Sequence, residues 1–325
     1  MPGTIMRFDE VTKRFGDFTA VDALSFEVPE GGVFGVLGGN GAGKTTSLRM
    51  ALDILEPSAG KIEVMGAAPS RENAAAIGFL PEERGLYRRM TVLDTIVYFG
   101  RLKRMQAGAA RKAAMTLLER LELADRAKTP VSKLSKGLAQ KVQVATALVN
   151  APRLLLLDEP FSGLDPVNQQ GLEKLITDIH ARGATIVFST HVMEHAERLC
   201  DQLVVIAKGQ KRFAGTVAQA LALAPRRAAV TTAGAFDLGA ALAQRGFSTM
   251  EETGRPLDAG RRWHVNLPPG RDAQDALRAA IEAGAPVTAF TPEGVRLRDV
   301  FVSLAGDMPD ADRPADKPAG KTEAA

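Results

Sequence analysis

The sequence predicts an α/β protein whose core is a mostly parallel β-sheet, followed by a smaller α+β domain. Up to about residue 218, short apolar segments of strand length alternate with longer segments of helical periodicity. This alternation is typical of a parallel sheet with helices packed on its faces. Beyond that point the pattern changes to alanine-rich helical segments between short strands, which indicates a separate domain.

The first part of the chain begins with β-hairpin character, because Phe26 and Val28 alternate with polar neighbours after a turn at Gly16. An apolar strand then runs into a glycine-rich turn, and the helix after it ends before Pro57 and Gly60. The predicted elements are a hairpin over 1–34, a strand over 32–38, a helix over 45–55 and a strand over 77–80.

The middle of the chain is helical, and its leucines recur on one face. A run of four leucines at 154–157 has the composition of a fully buried strand. The predicted elements are a helical region over 91–147 that includes a loop at Leu134, a helix over 138–149, strands over 154–157, 185–189 and 203–207, and helices over 167–182 and 191–199.

The last part of the chain predicts an accessory domain and a tail. Residues 222–229, around Pro225, form a basic, alanine-rich joint after a first domain that spans 1–218. Residues 227–305 are expected to contain short strands and two helices, at 235–246 and 272–284, with Trp263 in the core. Residues 306–325 combine prolines with Asp, Lys and Ala, so we expect a disordered tail.

Composition and charge narrow the class of protein. The 325 residues are 45% hydrophobic and 24% charged, the usual balance of a soluble globular protein. A formal net charge of +3 does not argue for nucleic acid, and the single cysteine excludes an intrachain disulfide. No signal peptide and no run of about 18 apolar residues is visible, so a cytoplasmic location is expected.

A glycine-rich segment between a predicted strand and a predicted helix fits the nucleotide-binding pattern G-x-x-x-x-G-K-[ST]. Its glycines let successive backbone N–H groups point at phosphate oxygens, and the helix adds its positive N-terminal end. Lys44 supplies a charge for the β- and γ-phosphates, and Thr45 supplies a hydroxyl for Mg²⁺. The alternative is a turn before a purely structural helix. We name residues 38–46 the phosphate loop, and its expected ATP-binding members are Gly38, Gly39, Asn40, Gly41, Ala42, Gly43, Lys44, Thr45 and Thr46.

Two carboxylates follow the apolar strand in LLLLDEP (154–160). Asp158, at the strand's carboxyl end, is expected to hold Mg²⁺ directly or through water. Glu159 is expected to accept a proton from the attacking water or to orient it. A strand followed by an acidic turn is common in itself, so this interpretation depends on the phosphate loop upstream.

Four further segments stand out: GFLPE (78–82), LSKGLAQ (134–140), SGLD (162–165) and STH (189–191). Together with the phosphate loop and the acidic pair, and in this order over roughly residues 5–215, they closely resemble the ATPase subunits of ABC transporters. The resemblance implies a P-loop NTPase core with a helical subdomain at about 85–150 and an antiparallel β-subdomain. We name residues 134–140 the signature loop and residues 162–165 the SGLD loop.

The resemblance also assigns roles to single residues. It implies that Phe15 stacks on adenine, although an aromatic here also suits a hairpin core. Ser135 and Gly137 would contact the γ-phosphate of ATP held by a second subunit, and Ser135 also has the place of a helix N-cap. Asp165 would couple two sites across a dimer.

Two histidines follow the strand at 185–189. The resemblance implies that His191 contacts the γ-phosphate. His195, about one helical turn later, is expected at the surface.

The family resemblance implies partners. Two subunits, expected to form a homodimer, would enclose two ATP molecules head to tail. Their opening and closing would drive substrate export through a separate membrane permease, with this chain peripheral on the inner face of the cell membrane.

The chain departs from the family pattern at several positions. Glu82 stands where most members have glutamine, which adds a negative charge beside the expected Mg²⁺ and γ-phosphate. Gly39 replaces a usual proline, while Lys136 and Leu138 alter the signature loop. PEERGLY (81–87) and the closing LRDVFVSLAG (297–306) resemble a subset of exporter ATPases with a small C-terminal domain, for which dimer contact or regulation is the expected role.

Three other functions are less well supported by the sequence. A GTPase-type switch lacks support because no N-K-x-D motif is present. A soluble ABC-type ATPase acting on a non-membrane partner, such as ribosomes or DNA, would usually have two ATPase halves or a long coiled coil, and this chain has neither. A non-hydrolytic binding module is disfavoured by Glu159.

Overall fold

A computed structural model describes residues 3–83, 85–224, 226–252 and 260–305. The chain divides into two compact units, one that runs to Val217 and one over Ala218–Ser303. Pro225, at the centre of the expected joint, and the expected tail at 306–325 lie outside the described residues.

The larger unit is built on a six-stranded sheet with the strand order β5-β6-β7-β3-β8-β9. All neighbours in it are parallel except β9, which pairs antiparallel with β8. Because parallel strands end at the same edge, the loops that follow β3, β5, β6 and β7 are neighbours. The strands are β3 (Val33–Leu37), β5 (Gly78–Leu80), β6 (Leu154–Asp158), β7 (Thr185–Thr190), β8 (Gln202–Ala207) and β9 (Gln210–Thr216).

A second, antiparallel sheet has the order β2-β1-β4. It consists of β1 (Thr4–Phe15), β2 (Phe18–Pro29) and β4 (Ala59–Val64), and the first two form the expected hairpin. Phe26 stacks on Phe8 at 4.6 Å between ring centroids and lies 5.8 Å from Phe34 of β3. These rings join the two sheets into one apolar core.

The helical region expected over 91–147 contains three α-helices, at Val92–Leu102, Ala107–Arg120 and Lys136–Leu148. The predicted helix over 45–55 ends earlier, at Ala51, and the predicted helix over 191–199 begins later, at Met193. None of the helices in the described part of the chain has the length and hydropathy of a membrane span. The helices are α1 (Lys44–Ala51), α2 (Arg71–Ala76), α3 (Val92–Leu102), α4 (Ala107–Arg120), α5 (Lys136–Leu148), α6 (Pro166–His180), α7 (Met193–Leu199) and α8 (Val217–Leu221).

The smaller unit is an antiparallel four-stranded sheet in the order β11-β12-β10-β13. Trp263 packs in its core with Leu238 and Phe247, as the sequence predicted. The two expected helices are present but shorter than predicted. The elements are β10 (Arg227–Thr232), α9 (Leu238–Ala243), β11 (Ser248–Glu251), β12 (Arg261–Asn266), α10 (Ala273–Glu282), β13 (Val287–Glu293) and α11 (Leu297–Ala305).

Candidate functional site

The phosphate loop joins the end of β3 to the start of α1. Gly43 precedes α1 with φ 103°, a backbone conformation that strongly favours glycine. A Cβ there would lie 2.6 Å from the carbonyl oxygen of Ala20, so the position is also closed to a side chain. The first turn of α1 contains no acidic residue. Its free N–H groups and positive end therefore suit an anion.

Lys44 is held over this loop by short contacts. Its Nζ donates to the carbonyl oxygens of Gly38 at 2.8 Å and of Gly39 at 3.1 Å. The same nitrogen lies 3.1 Å from Oε1 of Glu159, and the lysine side chain is only 6% exposed. The ammonium therefore bridges the phosphate loop and the end of β6.

Thr45 and Asp158 are brought together at the carboxyl end of β6. The Thr45 hydroxyl donates to Oδ1 of Asp158 at 3.0 Å. Ser189 donates to the same oxygen at 2.6 Å, and its Oγ accepts from the backbone N–H of Glu159 at 2.9 Å. Although STH was noted in the sequence, Ser189 was not predicted as a site residue. The parallel register, which places Ser189 opposite Asp158, is the signal that would have found it.

Glu159 lies between two cationic or proton-bearing groups. Its Oε2 is 2.9 Å from Nδ1 of His191, and its Oε1 faces Lys44. The carboxylate is 8% exposed, whereas the His191 side chain is 45% exposed. Glu159 has φ 46°, an uncommon backbone conformation for a residue other than glycine.

The signature loop and the SGLD loop each contain a residue that caps the helix after it. Ser135 caps α5 by accepting from the backbone N–H of Leu138 at 3.4 Å. Asp165 caps α6 by accepting from the backbone N–H of Asn168 at 3.0 Å and from its Nδ2 at 2.6 Å. These hydrogen bonds, the backbone one foremost, lower the pKa of Asp165 from its usual value.

Glycine at position 137 makes room for Asn168. A Cβ on Gly137 would lie 2.5 Å from Cγ of Asn168. In the same region a Cβ on Gly163 would overlap Nζ of Lys136, so this lysine lies directly against the SGLD loop. Asn168 was not predicted as a site residue, because its contacts depend on how α5 packs beside α6.

Glu82 and Phe15 are both exposed, in contrast to the buried Lys44, Asp158 and Glu159. Glu82 follows β5, whose Leu80 pairs with Leu157 of β6, so it leaves the sheet at the same edge as Asp158. Gln143 holds this loop by donating to the carbonyl oxygens of Pro81 at 3.1 Å and Glu83 at 3.3 Å.

Phe15 ends β1, and its ring is 47% exposed, with Nζ of Lys13 5.2 Å from the centroid. Phe15 is therefore exposed at the surface rather than buried in the hairpin core.

His195 corrects a sequence-based expectation. It was expected at the surface but is 3% exposed, and its Nδ1 lies 2.7 Å from Oε1 of Glu173. The prediction failed because the partner lies 22 residues away, on a neighbouring helix.

Comparison with known proteins gives consistent matches. A family model described as "ABC transporter" matches residues 21–162. An uncharacterized ABC transporter ATP-binding protein of Bacillus subtilis is 47% identical over 206 residues, covering 63% of this chain and 69% of the relative. The Nod factor export ATP-binding protein I of Paraburkholderia xenovorans is 44% identical over 214 residues, covering 65% of this chain and 70% of the relative.

A solved structure agrees with these sequence matches. The cbiO1 protein of Clostridium perfringens, described as part of the ABC transporter complex cbiONQ, superimposes with a TM-score of 0.61 at 26% identity. The match covers 68% of this chain and 91% of that one.

Proposed function

The chain belongs to the ABC transporter family of ATP-binding proteins, an ATPase family, and from this premise we propose that it powers substrate export through a separate membrane permease. The family, the α/β fold and the ATPase activity expected from the sequence are thereby confirmed. The observation that best supports a hydrolytic role is the buried Glu159 carboxylate, which lies between Lys44 and His191.

Each residue of the site has a role that its position supports. The N–H groups of the phosphate loop and the Lys44 ammonium bind the β- and γ-phosphates. Glu159 accepts a proton from the attacking water, or orients that water. His191, partly exposed and bonded to Glu159, contacts the γ-phosphate and holds the carboxylate in line with it.

Mg²⁺ fits the oxygen atoms at the end of β6. The Thr45 hydroxyl and the Asp158 carboxylate oxygen are 3.0 Å apart. Two adjacent ligands of an octahedral Mg²⁺ with bonds of about 2.1 Å are separated by about 3.0 Å, so both oxygens suit one ion. Glu82, which leaves the sheet at the same edge, is the third proposed metal ligand. When bound, the ion would neutralise charge on the phosphate oxygens.

A second ATPase subunit completes the proposed site. Ser135 and Gly137 lie at the start of α5, whose first turn has no acidic residue, so this end also suits a phosphate. We place them against the γ-phosphate of ATP held by another copy of the chain, with Asp165 at the contact between the two sites and Phe15 on the adenine. The proposed assembly is a head-to-tail homodimer.

An exposed aromatic surface supports a permease as the other partner. Tyr87 is 51% exposed and Leu102 is 59% exposed, and Tyr87 meets Tyr98 edge to face at 5.3 Å between centroids. Exposed aromatic groups of this kind are enriched in protein interfaces. Since these residues follow Glu82 along the chain, a permease bound here would sense the metal end of the site. We therefore propose a location at the inner face of the cell membrane, and a permease rather than nucleic acid as the partner.

The name of the Paraburkholderia relative supports the direction of transport, since it is a Nod factor export protein.

For the smaller unit, which we assign to an accessory domain over 227–305 after an ATP-binding domain over 1–218, we propose dimer contact or regulation. Its polar sheet face carries His264, which lies 2.9 Å from Glu293.

The hydrolytic role is tested by Lys44→Ala. The variant should lose ATP hydrolysis, because it removes the charge that binds the phosphates and faces Glu159. Lys61→Ala, at an exposed position of β4, is the matched control and should retain the wild-type rate. Wild-type turnover in Lys44→Ala would contradict the assignment.

The transport role is tested by the fraction of the cell in which the protein is found. Tagged protein should be recovered with membranes and with a partner that has about six apolar spans. Recovery with ribosomes or DNA instead would favour the soluble ABC-type ATPase.

A further inference from the structure

His195 is a buried polar residue that none of the roles above uses. It lies on α7, is 3% exposed, and its Nδ1 is 2.7 Å from Oε1 of Glu173 on α6. Its ring stacks on Phe161, with centroids 3.9 Å apart and an angle of 15° between the planes. Since Phe161 is also 4% exposed, the imidazole has one defined orientation.

Three segments that carry proposed site residues meet at this imidazole. His191 lies two residues before α7, and Phe161 lies two residues after Glu159. Glu173 belongs to α6, which begins after Asp165. His195 therefore belongs to the helix that follows His191, and its side chain contacts the segment that follows Glu159 and the helix that Asp165 caps.

The polar contact sets this arrangement apart from ordinary packing. Arg198 donates from Nη2 to Oε1 of Glu173 at 2.5 Å and lies 3.2 Å from Nδ1 of His195. Glu173 is 16% exposed, and its Oε1 accepts from both of these α7 side chains. Such a pair fixes the position of one helix along another, because a shift that an apolar contact tolerates breaks a short hydrogen bond.

We propose that His195 is a positioning residue for ATP hydrolysis, an inference that rests on the proposed function. Its hydrogen bond to Glu173 and its stack on Phe161 hold α7 against α6. This contact maintains the 2.9 Å separation between His191 and Glu159. A displacement of about 1 Å at reacting groups can lower a rate on the order of a hundredfold, so small movements of α7 matter.

Two substitutions separate the hydrogen bond from the stacked ring. His195→Phe keeps a ring on Phe161 and removes the donor to Glu173. His195→Asn keeps an N–H donor near the Nδ1 position and removes the ring. We expect kcat to fall about tenfold in His195→Phe, with KM for ATP within about twofold of wild type, because phosphate binding is untouched. His195→Asn should retain more of kcat than His195→Phe.

A stability control distinguishes positioning from loss of folding. Ile179 is buried on the same helix, α6, two turns beyond Glu173. Ile179→Ala should lower Tm while leaving kcat at 25 °C unchanged. Glu173→Met, which keeps about the length of the side chain and removes the acceptor oxygens, should lower kcat as His195→Phe does. The double variant should be no slower than His195→Phe alone, because both changes remove the same bond.

The outcomes separate this inference from the proposed function. If Lys44→Ala hydrolyses ATP at the wild-type rate, the proposed function is wrong. If hydrolysis depends on Lys44 but both His195→Phe and Glu173→Met keep the wild-type kcat, only the positioning role is wrong. If Ile179→Ala lowers kcat as much as His195→Phe does, the loss of stability alone explains the lower kcat. In that case His195 is only a packing residue. Should His195→Phe fail to fold, Glu173→Met decides alone.

Discussion

Replacing Gly137 by alanine tests the contact between the signature loop and α6. The new methyl group would lie 2.5 Å from Cγ of Asn168, and 2.5 Å from its Oδ1. Carbon atoms pack at about 3.5–4.0 Å, so the overlap exceeds 1 Å by this measure and the Asn168 side chain must move. Moving it breaks the 2.6 Å hydrogen bond from Asn168 Nδ2 to Asp165.

The size of the effect follows from two opposing terms. Alanine stabilises a helix by up to about 1 kcal/mol relative to glycine. Forcing an extra methyl group into a close contact costs about 1–3 kcal/mol, and we take about 2 kcal/mol for the displacement of Asn168. Gly137→Ala should therefore be destabilising by up to about 1 kcal/mol, the difference between these terms.

Gly171→Ala is the matched control, because Gly171 is also helical and nothing lies within 4 Å of its Cβ position. It should stabilise the protein by up to about 1 kcal/mol, so the two variants should differ by about 2 kcal/mol. For a unit of this size that difference corresponds to roughly 4–8 °C in Tm. Thermal unfolding monitored by circular dichroism measures it.

A second background separates packing from phosphate contact. In Asn168→Ala the overlap disappears, so adding Gly137→Ala should raise Tm as Gly171→Ala does. If Gly137 also contacts a partner's γ-phosphate, the rate of ATP hydrolysis in that double variant should remain below the wild-type rate. Equal Tm values for Gly137→Ala and Gly171→Ala would refute the overlap, and wild-type hydrolysis in the double variant would refute the phosphate contact.

Three more variants test the dimer, the metal site and a buried lysine. Glu159→Gln should keep ATP binding and trap a dimer, so only monomer in gel filtration with ATP and Mg²⁺ would contradict the homodimer. Glu82→Gln should change the Mg²⁺ dependence of hydrolysis, and coincident metal titration curves would contradict its place at the metal. Burial lowers the pKa of Lys103 from 10.5 to about 8. The unfolded chain therefore holds this proton more tightly between about pH 8 and 10.5, and stability rises with pH across that window by at most about 3 kcal/mol. Urea unfolding should show this rise in wild type but not in Lys103→Met, and equal pH slopes would rule it out.

The central strands and most helices were predictable because they carry strong local signals. The buried strands β3, β6 and β7 are short apolar runs, each followed by a polar segment of recognisable type. Strands β4 and β9 were not predicted from their own residues, because most of their side chains are exposed or half-buried. An edge strand of this kind has little apolar alternation to detect.

The candidate site was predictable only where its residues are contiguous. Lys44 and Thr45 share one motif, and Asp158 and Glu159 share another, so their chemistry could be inferred without a structure. Asn168 and His195 could not be found this way. Their partners lie on neighbouring helices, and the packing of helices is a tertiary property that periodicity alone does not specify.

Helix α6 connects these two unpredicted contacts. Its first turn, with Asn168, meets Gly137 at the start of α5, and Glu173, five residues further on, meets His195 on α7. Five residues of α-helix rise about 7.5 Å, so one rigid turn and a half separates the signature loop contact from the His195 contact. Because a short helix moves as a unit, displacement of the signature loop by a partner's ATP would be transmitted through α6 to α7, and thus to His191. The same helix that Asp165 caps would then make hydrolysis at one site depend on whether the partner is engaged. Loosening either contact should uncouple the two, which is why Gly137→Ala and His195→Phe are informative as a pair.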